Sequence, residues 1–125
     1  MEAVQPILVV EDEALIRMML VESLEAGGFS VGGSEDGTAA ILYIDASSEL
    51  HGLATDIRLG DGPCGWEVAR HARQKYPAIA VVYMTGDSAA DWSANGVPDS
   101  VLLQKPFAEA QLLTALATLM MAPKS

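Results

Sequence analysis

Glu11, Asp12, Asp56, Thr85 and Lys105 are the residues whose types could do chemistry together. Three carboxylates, a hydroxyl and an amine are spread over most of the chain, so only a fold could gather them. Once gathered, the carboxylates conflict, because like charges raise one another's pKa. A hard divalent cation removes that conflict. Mg²⁺ takes oxygen ligands, commonly one or two carboxylates, several waters and a phosphate oxygen. A phosphoryl group on one carboxylate completes such a set. Lys105 and Thr85 are then suited to meet its equatorial oxygens, and aspartate is a recognised nucleophile for phosphoryl transfer. Each residue also has a bland reading. An acidic run such as Glu11-Asp12-Glu13 favours any helix N-terminus, Asp56 suits a turn, and Lys105 suits a solvated surface. The chemistry is credible only if all five meet.

The elements that must position them can be read from the hydrophobic pattern. Ile7-Leu8-Val9-Val10 is a short apolar run of the kind that forms a strand buried on both faces. A helix follows from Ala14 to Ala26, closed by Gly27-Gly28. Ser30 to Gly33 is a weak second strand, and Asp36-Gly37-Thr38 opens a helix through about Ala46. The third strand lies within Leu50 to Ile57. Gly60 to Gly65 is a loop by composition. Trp66 to Tyr76 is the third helix, stopped by Pro77. Ile79 to Met84 is the fourth strand, Ser88 to Asn95 a short helix, Val101 to Leu103 the fifth strand, and Phe107 to Met121 the last helix. This alternation, without repeats or a linker, predicts one doubly wound α/β domain over residues 1–125, with a core spanning about 6–121 and no output domain. In such sheets the site lies beyond the carboxyl ends of the strands. Glu11 and Asp12 follow the first strand, Asp56 and Thr85 end the third and fourth, and Lys105 follows the fifth.

Composition narrows the functions. The chain carries a formal net charge of −10, with 7 Lys and Arg against 17 Asp and Glu. That balance argues against direct nucleic-acid binding and against anionic membranes. It suits cation binding and docking to a partner. The single cysteine, Cys64, excludes an internal disulfide and fits a reduced, cytoplasmic setting. The N-terminus lacks a basic region and a long apolar run, so no signal peptide is read there.

The ordered set Val9-Val10-Glu11-Asp12-Glu13, Asp56-Ile57-Arg58-Leu59, Met84-Thr85-Gly86 and Lys105-Pro106-Phe107 resembles response-regulator receiver domains of two-component signalling. The likeness runs from Ile7 to Met121. It implies a flavodoxin-like five-stranded parallel sheet in the order 2-1-3-4-5. It also implies that Asp56 is the phosphoacceptor and that Glu11, Asp12, Asp56 and the backbone carbonyl of Arg58 hold Mg²⁺. Thr85 would hydrogen-bond the phosphoryl group, Lys105 would pair with it, and Pro106 would follow a cis peptide. The implied partners are a sensor histidine kinase or phosphotransfer protein and a downstream protein. A monomer or weak dimer is expected. The chain departs from the family pattern in four places. Gly65 comes one residue late, Gly60 stands where proline is common, Gly86 stands where alanine is common, and Leu102 replaces an aromatic. Tyr83-x-Thr85-Gly86 without an aromatic at 102 is similar to a subset of single-domain receivers with a Phe-Ala-Thr-Gly motif, associated with histidine kinases of less usual type. The switch is therefore expected to involve Tyr83, Gly86 and Leu102 differently from the common two-residue gate, with residues 86–98 as the responding and least stable segment.

Other residues read more plainly. Ile16, Leu20 and Leu24 share one helical stripe, whereas Leu15, Met18 and Met19 fall mostly outside it. Two readings stay open for these three: a wide core face, or an exposed docking patch. His71 is expected to be solvated, Trp66 and Trp92 to pack. The rival functions are a small phosphatase with an aspartyl nucleophile and a flavodoxin-type ligand carrier. The first wants an acidic residue two after the nucleophile, where Arg58 stands. The second wants a Gly- or Ser/Thr-rich phosphate loop where Glu11-Asp12-Glu13 stands.

Overall fold

The computed structural model describes residues 5–87 and 92–121. Five strands, β1 (Pro6–Val10), β2 (Ser30–Ser34), β3 (Gly52–Asp56), β4 (Ala80–Thr85) and β5 (Val101–Gln104), form one sheet in the order β2-β1-β3-β4-β5. All neighbours pair in parallel. Between them run α1 (Ala14–Ala26), α2 (Gly37–Ala46), α3 (Gly65–Lys75) and α4 (Trp92–Asn95), and α5 (Glu109–Met121) closes the domain. This is the expected topology.

Strand alternation divides the core in two. Leu8, Val10, Leu53, Val81 and Tyr83 face one way, where they meet Ala40 and Ile44 of α2 and Val68, Ala69 and Ala72 of α3. Ile7, Val9, Ala54, Val82 and Met84 face the other way, against Leu20 and Leu24 of α1 and Leu112 and Leu116 of α5. Burial on both faces explains why β1 and β4 read as apolar runs. β2, at the edge, is the weakly patterned strand.

Several boundaries differ from the sequence reading. β3 begins at Gly52, and Leu50 is a buried residue just before it. α5 begins at Glu109, because the Gln111 amide oxygen accepts from the Ala108 N–H at 2.7 Å and closes the first turn there. Phe107 packs against the core instead. Part of the expected helix from Ser88 lies outside the described residues; its described part is Trp92–Asn95. His71 is not merely solvated: its Nε2 lies 2.7 Å from Asp45 Oδ1, linking α3 to α2. Trp66 packs against Tyr83, with ring centroids 4.7 Å apart. The indole N–H of Trp92 donates to Ser100 Oγ at 3.0 Å.

Candidate functional site

Each candidate residue owes its place to a strand end. Glu11 follows β1 directly and is 1% exposed. Its Oε2 accepts from the Glu13 N–H at 3.0 Å, and Arg17 donates to its carbonyl at 2.7 Å. These two contacts fix both its side chain and its backbone at the start of α1. Asp12, next along the chain, is exposed. Asp56 is the last residue of β3 and is 7% exposed. The loop after it turns back sharply. A Cβ on Gly65 would run into the Asp56 carbonyl oxygen, so α3 can start against the end of β3 only with glycine there. The same loop puts Gly60 at φ +77, a conformation closed to proline, which explains the departure from the family pattern at that position.

Lys105 binds the carboxylates together. Its Nζ donates to Glu11 Oε1 at 2.9 Å and lies 3.0 Å from Asp56 Oδ1 and 3.1 Å from Asp56 Oδ2. The peptide between Lys105 and Pro106 is cis, as the resemblance implied. Carboxylate oxygens of Glu11, Asp12 and Asp56 lie within 4.8 Å of one another. The set offers only oxygen donors, with no imidazole or thiolate, and that chemistry fits a hard cation such as Mg²⁺. A pocket of about 250 Å³ opens beside it, lined by Asp56, Arg58, Thr85, Gly86, Asp87 and Lys105.

Charge in this site is unevenly shared. Burial pushes the Asp56 carboxyl up to about 7, with the Glu11 charge adding to the rise and Lys105 opposing it. Burial alone would also raise Glu11, but the Glu13 N–H and the Lys105 ammonium hold it below its ordinary value. Burial alone would lower Lys105, but its two carboxylate partners hold it above the ordinary lysine value. The lysine is thus a fixed positive charge between an ionised Glu11 and an Asp56 that titrates near neutrality.

The structure brings all five predicted residues to one edge of the sheet. It sets the remaining candidates around them. Tyr83 is fully buried beneath the α4 segment, and its hydroxyl accepts from the Val97 N–H at 3.0 Å. Leu102 is partly buried against the same core layer. Gly86 has open space where a Cβ would stand and needs no left-handed backbone. Leu15, Met18 and Met19 are 65%, 57% and 49% exposed, so the wide-core reading of them fails. Beside Met19, a cleft of about 450 Å³ runs between α1 and the start of α5, lined by Ile16, Leu20, Pro106, Phe107 and Glu109. Sequence reasoning missed a role for Asp87. Its side chain pairs with Arg58 at 2.6 Å and its N–H donates to Thr85 Oγ1 at 3.0 Å. Opposite charges placed just after neighbouring strands were the available signal.

Comparison with known proteins agrees with this geometry. The profile of the response regulator receiver domain matches residues 7–117. A response regulator receiver protein from Sinorhizobium medicae WSM419 has a crystal structure that superposes with a TM-score of 0.92 at 40% identity, covering 95% of this chain and 96% of that one. The response regulator receiver protein CpdR of Brucella abortus is 30% identical over 103 residues, 81% of this chain and 84% of CpdR. The sensor kinase CckA of the same organism is 30% identical over 114 residues, which is 86% of this chain but only 12% of the kinase. No helix among the described residues is long and apolar enough to cross a membrane. The chain belongs to the response regulator receiver domain family of two-component signalling.

Proposed function

We propose that Asp56 is the phosphoacceptor and that the chain takes a phosphoryl group from a histidine kinase or phosphotransfer protein. The observation that carries this reading is the shared lysine: Lys105 Nζ sits within 3.1 Å of both Asp56 and Glu11, at the mouth of a pocket that also presents Thr85. In the reaction an Asp56 oxygen bonds to phosphorus while the bond to the donor's leaving atom breaks, and that atom keeps the electron pair. Lys105 is placed to neutralise the transferred oxygens. The Thr85 hydroxyl, whose oxygen already accepts from Asp87, keeps its own proton to donate to them. Mg²⁺ would be held by Glu11, Asp12, Asp56 and the Arg58 carbonyl, and would neutralise charge on the phosphoryl group and the acidic set. Because Asp56 titrates near neutrality, compensation of its surroundings also favours the carboxylate form that must attack. The output is a change in partner binding or onward transfer. A phosphatase reading gains nothing from the site, since Arg58 offers no acid or base and is engaged with Asp87.

The exposed Leu15, Met18 and Met19 and the cleft beside them are the surface on which the phosphodonor protein docks. The test of the central claim is intact mass after incubation with acetyl phosphate. One phosphoryl group should add in the presence of Mg²⁺, and none in excess chelator or in Asp56→Asn. Equal labelling with and without chelator, or undiminished labelling of Asp56→Asn, overturns it.

A further inference from the structure

We propose that Arg17, laid along Gly33 of β2, is a positioning residue for the cation: it braces the turn that carries Glu11 and Asp12, and so sets how tightly Mg²⁺ is held. This rests on Mg²⁺ being bound by Glu11, Asp12 and Asp56. Arg17 grips the acidic turn at both ends. Its backbone N–H donates to the Glu13 carbonyl at 2.9 Å, and its Nη1 donates to the Glu11 carbonyl at 2.7 Å. The Glu11 carbonyl belongs to the peptide that leads into Asp12, so the guanidinium fixes the direction in which Asp12 leaves the strand. Asp12 is exposed, and carboxylate oxygens of Glu11, Asp12 and Asp56 lie within 4.8 Å of one another. Before a cation arrives such a set repels itself, and an exposed turn is the part free to spread. A brace that opposes the spreading orders the ligands in advance, which raises affinity by removing the cost of ordering them on binding.

The brace depends on a bare patch of sheet. Parallel pairing sets Gly33 beside Val9, two residues before Glu11. A Cβ on Gly33 would stand 3.2 Å from Cδ and 3.4 Å from Cγ of Arg17. Glycine within a strand marks a close approach of this kind. Gly32 faces the opposite layer, where a Cβ would overlap the Tyr43 hydroxyl. The two glycines thus admit one long side chain on each face of the edge strand, and the one on the α1 side ends at the acidic turn. Gly33 carries no charge, and the atoms nearest a Cβ there belong to Arg17 and Val21. A substitution at Gly33 therefore reaches the cation site through Arg17.

A titration with MgCl₂ followed by backbone amide chemical shifts tests the brace. Arg17→Met keeps an apolar stem and loses the donor. Gly33→Val crowds the stem and leaves every charge in place. The first should weaken Mg²⁺ binding about tenfold and the second about three- to tenfold, the lower range for loss of a partner that orients a metal ligand. The double variant should bind about as weakly as Arg17→Met, because the valine then has no donor left to displace. In metal-free protein the carbonyl carbon resonance of Glu11 should move to lower frequency in both single variants, as it does on losing a hydrogen bond. Labelling by acetyl phosphate should slow in both at limiting Mg²⁺ and return to within about twofold of wild type once Mg²⁺ saturates, a recovery that general damage to the fold would not show. Wild-type affinity in either single variant, a double variant whose loss is the product of the two, an unmoved Glu11 resonance, or slow labelling that persists at saturating Mg²⁺ each overturns the brace. A wild type whose amides ignore Mg²⁺, or an Asp12→Asn variant that binds it as tightly as wild type, overturns instead the cation reading on which it rests.

Discussion

Glu11 and Asp56 are both buried, but the Glu13 N–H and Lys105 hold Glu11 down whereas burial raises Asp56. Asp56 is nearly inaccessible and shares one ammonium with Glu11, and its carboxyl is raised to about 7. A folded-state pKa above the unfolded value means that the native state holds the proton more tightly. The associated stability is present at pH values below the ordinary carboxylate pKa, and it is lost as pH rises through about 7. Metal-free wild type should therefore fall progressively below Asp56→Asn as pH rises from 5 to 8.5. Each tenfold difference in proton affinity between the folded and unfolded states is worth roughly 1.4 kcal/mol, so the gap is at most ~4 kcal/mol. Urea unfolding in chelator at the two pH values measures it, and a wild type that gains on Asp56→Asn as pH rises would contradict it. Mg²⁺ should restore wild-type stability at the higher pH, by about 2.7 kcal/mol at a hundredfold excess over its dissociation constant. At this scale the convergence of Glu11, Asp12, Asp56, Thr85 and Lys105 was legible in the sequence, because a parallel sheet sends every strand end to one edge. The Arg58–Asp87 pair and the His71–Asp45 contact were not, because each depends on how far one side chain reaches across to a neighbouring element.

Among the elements, the hold of the α4 segment on the rest can be named bond by bond. Tyr83 Oη accepts from the Val97 N–H, Arg73 donates to the Pro98 carbonyl at 2.6 Å, and Arg70 donates to the Asn95 carbonyl at 3.3 Å. The C-terminal end of the segment expected to be least stable is thus fastened to β4 and α3, and residues 88–91 lie outside the described residues. The aromatic at position 83 could be seen in the sequence, but its hydroxyl's use could not. Strand alternation puts Tyr83 on the same face as Thr85, beneath Val97, and only the packed fold shows that contact. Tyr83→Phe keeps the ring against Trp66 and removes only the acceptor, leaving the buried Val97 N–H without its partner. That should cost about 1–3 kcal/mol and speed amide exchange at Val97 more than in β1 or β3. Equal protection of Val97 in both proteins would show that the hydroxyl does not hold the segment.

For the molecule as a whole, the sheet keeps the acidic set and an exposed apolar surface adjacent but separate. The acidic set stands at the carboxyl edge, while the apolar surface of α1 lies beside it with its inward stripe, Leu20 and Leu24, committed to the core. A chain with a net charge of −10 repels any acidic partner at long range, so a phosphodonor protein needs a short-range apolar contact to settle next to Asp56. In the docking proposed above, Leu15, Met18 and Met19 supply it: they are exposed, and Met19 lines the cleft that ends at Lys105. Since Leu15 and Met19 bury little in the free protein, Leu15→Ala combined with Met19→Ala should leave stability within about 0.5 kcal/mol of wild type. The same pair should slow phosphoryl transfer from the cognate kinase or phosphotransfer protein by tenfold or more, as removal of central apolar contacts does when each is worth about 1 kcal/mol or above. Labelling by acetyl phosphate, which needs no docking surface, should be unchanged. Running both donors on the same preparation separates the two steps. If acetyl phosphate labelling slows as much as protein-donor transfer, these side chains act on the reacting site and not on its partner.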